Sequence, residues 1–367
     1  MNEIRIIVSG GGTGGHIFPA ISIANALKAQ CPDAKILFVG AEGRMEMERV
    51  PAAGYEIVGL PIRGFDRSHL LNNIKTLYMV LKSMVKARRI IKDFKPIVAV
   101  GVGGYASGPL LRAAAALGVP TVIQEQNSYA GVTNKLLAAK AAKICVAYPN
   151  MERFFPKDKI LLTGNPVRQD LLEGENLKQK GQEFYKLDPN RKTLLIVGGS
   201  LGARTINESV MGALDELEAV EDVQVIWQTG KYYYQQILER LKGRELHHVQ
   251  VHEFVNQMNY AYAAADLIIS RAGASSISEL CLLQKAVILV PSPNVAEDHQ
   301  TKNALALVNE DAAVMIRDQD ARKELMKKAL ELIHQQESLN HLSKNIFGLA
   351  QQNSAGRIAD EILKLIK

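Results

Sequence analysis

The feature that most constrains this chain is an alternation that runs nearly its whole length. Short apolar runs, mostly unbroken by polar residues, are separated by amphipathic segments. The first series is IRIIVSG (4–10), KILFVG (35–40), IVAVG (97–101), TVIQE (121–125), KICVAY (143–148) and ILLTG (160–164). A second series runs TLLIVGG (193–199), VQVIWQTG (223–230), VQVHEF (249–254), DLIIS (266–270), AVILVP (286–291) and AAVMI (312–316). Strands apolar at successive positions must be covered on both faces, as in parallel sheets flanked by helices. Strand–helix alternation over this length predicts an α/β fold of doubly wound parallel sheets.

The alternation breaks once. Residues 165–192, NPVRQDLLEGENLKQKGQEFYKLDPNRK, are polar, are bounded by prolines and hold no apolar strand run. They predict a linker with a short helix and a domain boundary near 164. The chain's 367 residues suffice for two domains. The expected division is 1–164, then 165–350, with 351–367 a helix that is a candidate to pack back on the first domain. Each half opens with strand, glycine-rich turn and helix, the turns being SGGGTGGH and GGSLGART. Two Rossmann-like domains facing a cleft, with ligands at the carboxyl ends of the strands, follow from that repetition.

Several classes are disfavoured. The three cysteines, Cys31, Cys145 and Cys281, are scattered, with no CxxC, so neither a disulfide framework nor a zinc site is expected and a reducing compartment fits. The start, MNEIRIIVSGG, lacks a signal-peptide core. The weakly charged stretch 96–123 is broken by glycines, prolines and Arg112, which favours a buried strand–helix–strand unit over a membrane span. The net charge of +6 is uneven: residues 1–163 carry 21 Lys+Arg against 11 Asp+Glu, residues 164–367 carry 23 against 27. The first half is built to meet something anionic.

VSGGGTGGHIFPA (8–20) places five glycines between a strand and a helix expected to begin near Pro19. Gly10, Gly12 and Gly15 satisfy GxGxxG. Glycine admits positive φ and close backbone approach, and the helix end supplies N–H donors, so the loop can cradle a phosphate. The bland alternative is a tight turn with no ligand. A dehydrogenase would use such a loop for pyrophosphate, with Glu42 as ribose ligand. His16, one step past Gly15, suits a general base near neutral pH better than it suits a nicotinamide site. The competing role is a structural histidine that caps the helix. GVGGYASGP (101–109) is a second glycine loop, able to form another anion site. In TVIQEQNSYAGVTNK (121–135), Glu125, Gln126 and Asn127 are expected as polar tips on the same edge.

In the second half, SRAGASSISEL (270–280) follows a strand. Ser275, Ser276 and Ser278 near a helix start suit a phosphate, and Glu279 one turn on suits ribose hydroxyls; the competing role is a capping box. In PSPNVAEDHQTKNA (291–304), Glu297, Asp298, His299 and Gln300 are candidates for sugar hydroxyls. No DxD closes a strand, and Asp318-Gln319-Asp320 is expected to be solvated beside a surface helix. No obligatory metal and no cofactor are therefore expected.

NNIKTLYMVLKSMVKARRIIKDFK (72–95) predicts an amphipathic helix. Ile74, Leu77, Tyr78, Leu81, Met84 and Val85 share one face, with Lys75, Lys82, Lys86 and Arg89 on an adjoining stripe. Residues 63–95 hold nine basic and two acidic side chains. Such a helix can lie in an anionic membrane surface, each cation adding about 1 kcal/mol. The alternative is a core-facing helix with a solvated basic edge. Nucleic acid is disfavoured, because aromatic residues do not interleave the basic ones.

GGGTGGHIFPA, GVGGYASGP, EQNSYAGVTNK, TGNPVR (163–168), GGSLGAR (198–204), SRAGASSISEL and EDHQTKNA (297–304) occur in that order. Together they resemble the MurG family of bacterial N-acetylglucosaminyltransferases, and the likeness spans the chain. The resemblance implies a GT-B fold and inverting transfer of N-acetylglucosamine from UDP-N-acetylglucosamine to the C4 hydroxyl of lipid I, giving lipid II. It implies work at the cytoplasmic face of the cell membrane as a peripheral protein. By position it implies that Thr13, Gly14 and Gly15 meet donor or acceptor phosphates and that His16 is the base. Gly12, Gly103, Gly104 and Tyr105 belong to the acceptor-phosphate loops, and Asn127 reaches the donor sugar. Arg168 and Ser200 contact UDP, and Val255 offers backbone groups to uracil. Ala274, Ser275, Ser276, Ile277, Ser278 and Glu279 hold diphosphate and ribose, and Gln300 reads the sugar. The family often has an aliphatic-Thr pair where this chain has Ser275-Ser276, which points to backbone contacts there. The basic–apolar helix answers to the family's membrane contact. The nearest rivals are another GT-B enzyme, such as a glycolipid synthase or a UDP-N-acetylglucosamine 2-epimerase, then a nicotinamide oxidoreductase and a nucleic-acid-binding module.

Overall fold

In the computed structural model, which describes residues 3–63, 72–167, 171, 174–295 and 298–366, the chain divides into two compact units. One comprises residues 1–168 and 351–367, the other residues 169–350.

Among its described residues the first unit holds seven strands: β1 (Arg5–Ser9), β2 (Lys35–Ala41), β3 (Glu56–Leu60), β4 (Val98–Gly101), β5 (Thr121–Glu125), β6 (Lys143–Val146) and β7 (Ile160–Leu162). Their order is β3-β2-β1-β4-β5-β6-β7, and every pairing is parallel, Ile6 lying between Ile36 and Val98. Successive residues of β1 feed two different cores. Ile6 and Val8 pack with Ile17, Ala20, Ile23 and Leu27 of α1 (Gly14–Gln30). Ile7 packs on the opposite face with Ala87 and Ile91 of α3 (Asn72–Phe94) and Leu110 and Leu111 of α4 (Ser107–Ala116). That two-sided burial is why the strands read as continuous apolar runs. The helix Ser354–Lys364 joins this unit, burying Ile358, Ala359 and Ile362 in the α1-side core. β3 had no counterpart among the expected runs. It is a short edge strand, EIVGL, exposed at Glu56 and buried only at Gly59 and Leu60, confined between Gly54 and Pro61.

The second unit repeats the plan with six strands among its described residues: β8 (Lys192–Val197), β9 (Val223–Gln228), β10 (Val249–His252), β11 (Leu267–Ser270), β12 (Val287–Leu289) and β13 (Val314–Met315). The order is β10-β9-β8-β11-β12-β13, again all parallel. Trp227 is wholly buried, its indole N–H held by Asn207 Oδ1 at 3.0 Å. The stretch 165–192 contains the helix Leu177–Phe184 and, among its described residues, no strand before Lys192, where β8 begins.

Both sheets reverse direction of growth at their first strand, between β1 and β4 and between β8 and β11. Loops beyond the carboxyl ends of strands at such a reversal form the standard ligand crevice of open α/β sheets. The two glycine loops of the first unit, 10–15 and 101–105, leave β1 and β4. In the second unit, 198–203 and 271–276 leave β8 and β11.

The amphipathic helix forms as expected, but its apolar stripe faces outward. Tyr78, Leu81 and Val85 are 66%, 57% and 55% exposed, whereas Thr76, Ser83, Ala87 and Ile91 are buried. Periodicity identifies a stripe and does not say which stripe the core selects; here the sheet takes the small-residue side, which lets the helix approach closely. Lys82 and Arg89 are exposed, and Lys86 is half-buried and pairs with Glu42 at 2.9 Å. The side chains of Ile74, Lys75 and Leu77 lie outside the described residues. Among the described residues, no helix is long and apolar enough to cross a membrane.

Candidate active site

The first unit builds its site from two glycine loops pressed together. α1 begins at Gly14, five residues before the expected start at Pro19, with Thr13 as its extended N-cap (φ −145°, ψ 158°). His16 therefore sits in the first helical turn rather than in the loop. Its backbone N–H donates to Thr13 O at 3.1 Å, and its Nδ1 lies 3.2 Å from Thr13 Oγ1. The imidazole rests on Gly103: a Cβ there would come within 2.7 Å of Cδ2 and 2.8 Å of Nε2. Gly103 and Gly104 have φ +100° and +87°, and a Cβ on Gly104 would fall on the Gly11 carbonyl. Only glycine allows this backbone-to-backbone approach. Buried Ser107 fastens the second loop to β1, its Oγ donating to Gly103 O (2.8 Å) and Ser9 O (3.0 Å). Tyr105 is exposed beside it.

Of the expected polar tips on β5, Glu125 and Gln126 point inward and serve the loops. Glu125 is buried and accepts from the N–H groups of Asn127 (3.0 Å) and Gly131 (3.0 Å) and from the amide Nδ2 of Asn127 and Asn134. Gln126 donates to Val102 O at 2.6 Å. Asn127 is thus tied through both its backbone N–H and its side-chain amide to one oxygen of Glu125, on a half-buried turn. Glu42, the alternative ribose ligand, is occupied by Lys86. Glu46 was not singled out from the sequence, yet it is almost wholly buried and takes the Gly12 N–H at 2.9 Å. Gly12 thus has its N–H committed within the chain.

The second unit has a comparable pair of loops. Gly199 and Gly202 have φ +88° and +90°, and a Cβ on Gly202 would meet the Thr229 carbonyl. Ser200 is exposed at the crest of this loop, its carbonyl accepting from Lys231 N–H. Gln228, buried at the end of β9, braces two loops at once. It donates from Nε2 to Gly199 O (3.1 Å) and accepts at Oε1 from Val255 N–H (2.9 Å). Val255 therefore presents its carbonyl but not a spare N–H. It borders an open groove of about 380 Å³, lined also by Phe184, Tyr185, His252 and Phe254. Burial lowers the pKa of His252, favouring its neutral form.

Beyond β11, Gly273 caps the helix Ala274–Leu282 with extended backbone. The Ser275 hydroxyl is buried without a partner, and Ser276 lies alongside at the helix start. Ser278 turns its hydroxyl back to Ala274 O at 3.0 Å. Ile277 is in the core. The Glu279 carboxylate is largely buried, with Oε2 accepting from Tyr262 hydroxyl at 3.2 Å. Asp318, expected to be solvated, is instead largely buried and paired with Arg271 at 2.5 Å, while its other oxygen accepts from Thr205 Oγ1 at 2.8 Å. Arg271 also donates to the carbonyls of Val290 and Pro291, tying the β11 and β12 loops together. Sequence reading assigned Asp318 from its place beside a helix and had no sight of the arginine opposite. Gln300 opens the helix His299–Val308 with its Oε1 taken by Ser292 N–H at 2.8 Å. Arg168 and Glu297 lie outside the described residues.

Comparison with known proteins bears on both units. Residues 6–146 match the glycosyltransferase family 28 N-terminal domain, and residues 193–362 match the glycosyltransferase family 28 C-terminal domain. A protein of Parabacteroides distasonis is 65% identical over 366 residues, covering 100% of this chain and 99% of that protein. A protein of Phocaeicola vulgatus is 63% identical, covering 99% and 96%. Each is named UDP-N-acetylglucosamine--N-acetylmuramyl-(pentapeptide) pyrophosphoryl-undecaprenol N-acetylglucosamine transferase. Among solved structures, MurG of Acinetobacter baumannii is similar with a TM-score of 0.78 and 29% identity, covering 98% of this chain and 99% of that one. UDP-GlcNAc 2-epimerase of Neisseria meningitidis shares the fold at a TM-score of 0.68 but only 14% identity, over 99% and 100% of the two chains.

Proposed function

The chain belongs to glycosyltransferase family 28, and from that premise we propose that it makes lipid II. It transfers N-acetylglucosamine from UDP-N-acetylglucosamine to the C4 hydroxyl of undecaprenyl-pyrophosphoryl-N-acetylmuramyl-pentapeptide. The observation that carries this reading is the full-length identity of 65% and 63% to proteins that bear that name. The chemistry is a direct displacement. The C4 oxygen bonds to the sugar's anomeric carbon, the bond from that carbon to the β-phosphate oxygen breaks, and configuration inverts. The departing electron pair goes to UDP and the hydroxyl proton to His16. In the tautomer whose Nδ1–H donates to Thr13 Oγ1, Nε2 is the basic atom.

The second unit takes the donor. Ser200, Val255, Ser275, Ser276 and Glu279 surround nucleotide and diphosphate and Gln300 reads the sugar; Arg168 and Asn127 are further donor contacts in this reading. The N–H groups at the start of the helix Ala274–Leu282 favour the charge that grows on the leaving diphosphate. The first unit takes the acceptor, with Gly103, Gly104 and the start of α1 near its pyrophosphate. The outward stripe of α3, with Lys82, Lys86 and Arg89, rests on the anionic cytoplasmic face of the cell membrane, where the lipid acceptor resides. Product formation then serves peptidoglycan synthesis, and through it cell shape and division.

The test is release of UDP from UDP-N-acetylglucosamine with and without a soluble lipid I analogue. Release that depends on the analogue, with a disaccharide product, is the expected result. Inversion of the donor sugar at C2 with no disaccharide formed would instead favour an epimerase and overturn the reading, as would UDP release that does not respond to the analogue.

A further inference from the structure

α2 (Glu46–Ala52) opens with an acid where an acid is costly. Glu46 is 1% exposed, and a buried carboxylate is tolerated only when its oxygens are hydrogen-bonded. Each oxygen has a backbone donor: Oε1 accepts from Ala41 N–H at 3.0 Å and Oε2 from Gly12 N–H at 2.9 Å. The surrounding backbone is shaped to admit it. A Cβ on Gly40 would stand 2.5 Å from the Glu46 Cγ, and a Cβ on Gly11 would fall on Oε1. Gly12 itself is bent to φ +86° with open space where a side chain would go. The bend coincides with the bond from its N–H to Glu46. The next residue is Thr13, which caps α1 and meets His16, while the neighbouring Gly11 carbonyl bears on Gly104.

Resting on the transfer reading above, we propose that Glu46 is a positioning residue for the reaction. By holding the Gly12 N–H it fixes the first glycine loop in its left-handed bend, and so sets Thr13 and the His16 imidazole against the second loop. The same bond withdraws the Gly12 N–H from anion binding and puts negative charge beneath it. The acceptor's diphosphate is thereby steered away from Gly12, toward the start of α1 and the Gly103–Gly104 backbone. A merely structural carboxylate would stabilise the turn without regard to His16, and that difference can be measured.

The experiment is a double-mutant cycle of Glu46→Gln and His16→Ala, read as kcat for transfer to a lipid I analogue, with UDP affinity measured alongside. Glutamine keeps the volume but turns an amide N–H₂ onto one of the two backbone donors. Glu46→Gln is expected to lower kcat at least tenfold in the wild-type background and less than twofold in the His16→Ala background, with UDP affinity within twofold throughout. An equal loss in both backgrounds, or no loss in the wild-type background, overturns the proposal. If Glu46→Gln does not fold, Gly40→Ala displaces the same side chain from the other direction and enters the same cycle. Full activity of His16→Ala would remove His16 as base and overturn the positioning proposal with it, whereas failure of the wild-type protein to transfer would sink the transfer reading instead, so the two failures are distinct.

Discussion

His16 and Gly103 meet so closely that a change in either is a change in both. Replacing His16 by alanine removes the proposed base, and a positioned base is commonly worth about 10² to 10⁴ in rate. We expect kcat to fall within that range while UDP affinity, measured by calorimetry, moves less than twofold; parallel loss of both would remove His16 from that role. Gly103→Ala attacks the same contact from below. Its Cβ would reach the ring at 2.7 Å, and φ +100° is costly for any side chain, on the order of 1–3 kcal/mol. Lower kcat together with a lower melting temperature is expected, and normal values of both would show that the ring sits elsewhere. In the second unit, Lys285 donates to the carbonyls of Ala263 and Ala265, and burial pulls its pKa down to about 8, partly offset by Asp266. The unfolded chain keeps this proton to about pH 10.4. Between those values the unfolded state binds more protons, so this group makes stability rise with pH across the window, by on the order of 3 kcal/mol in all. Denaturant titrations at pH 7.5 and 10 should show the wild type gaining on Lys285→Met; a constant difference would place the lysine's pKa near its ordinary value.

At the scale of single elements, α3 gives the sharpest test. Tyr78, Leu81 and Val85 contribute little to the core, so replacing them together by serine should leave the melting temperature nearly unchanged. Binding to vesicles of anionic phospholipid should weaken severalfold, and reversing Lys82 and Arg89 to glutamate should weaken it further and flatten its dependence on lipid charge. Unchanged flotation with such vesicles would move the membrane contact off this helix. The same element marks how far sequence carries. The strands of both sheets were legible because burial on two faces leaves an unmistakable apolar run, and the glycine loops because close backbone approach admits one residue type. β3 escaped because an edge strand buried at one end leaves no such run. The direction of the α3 stripe was not written in its period, since a helix can offer its larger apolar residues either inward or outward. Glu46 and Gln228 were invisible for another reason: each acquires its role from a backbone group more than 25 positions away, Gly12 and Val255. Arg271 and Asp318 meet across a similar interval. Local pattern marks places where backbone is exposed to a ligand, and misses the buried polar side chains that hold such backbone in place.

At the scale of the whole molecule, the two units are variations on one plan, each with its paired loops at the reversal of a parallel sheet. They differ in how the chain completes them. The second unit is made from one continuous stretch, 169–350, whereas the first needs residues from both sides of it. Deleting residues 351–367 uncovers Ile17, Ile23 and Leu27, which Ile358, Ala359 and Ile362 otherwise help to bury. Such a truncation should expose unit one to protease while leaving unit two resistant; equal resistance of both would show that the helix is dispensable. The arrangement also orders events on the ribosome. The lobe translated first must wait, its α1 flank bare, until the whole of its sibling has emerged and the late helix follows. Arrested nascent chains ending near residue 350 should therefore recruit chaperones through their earliest segment and lose that attraction once residues 354–364 clear the exit tunnel.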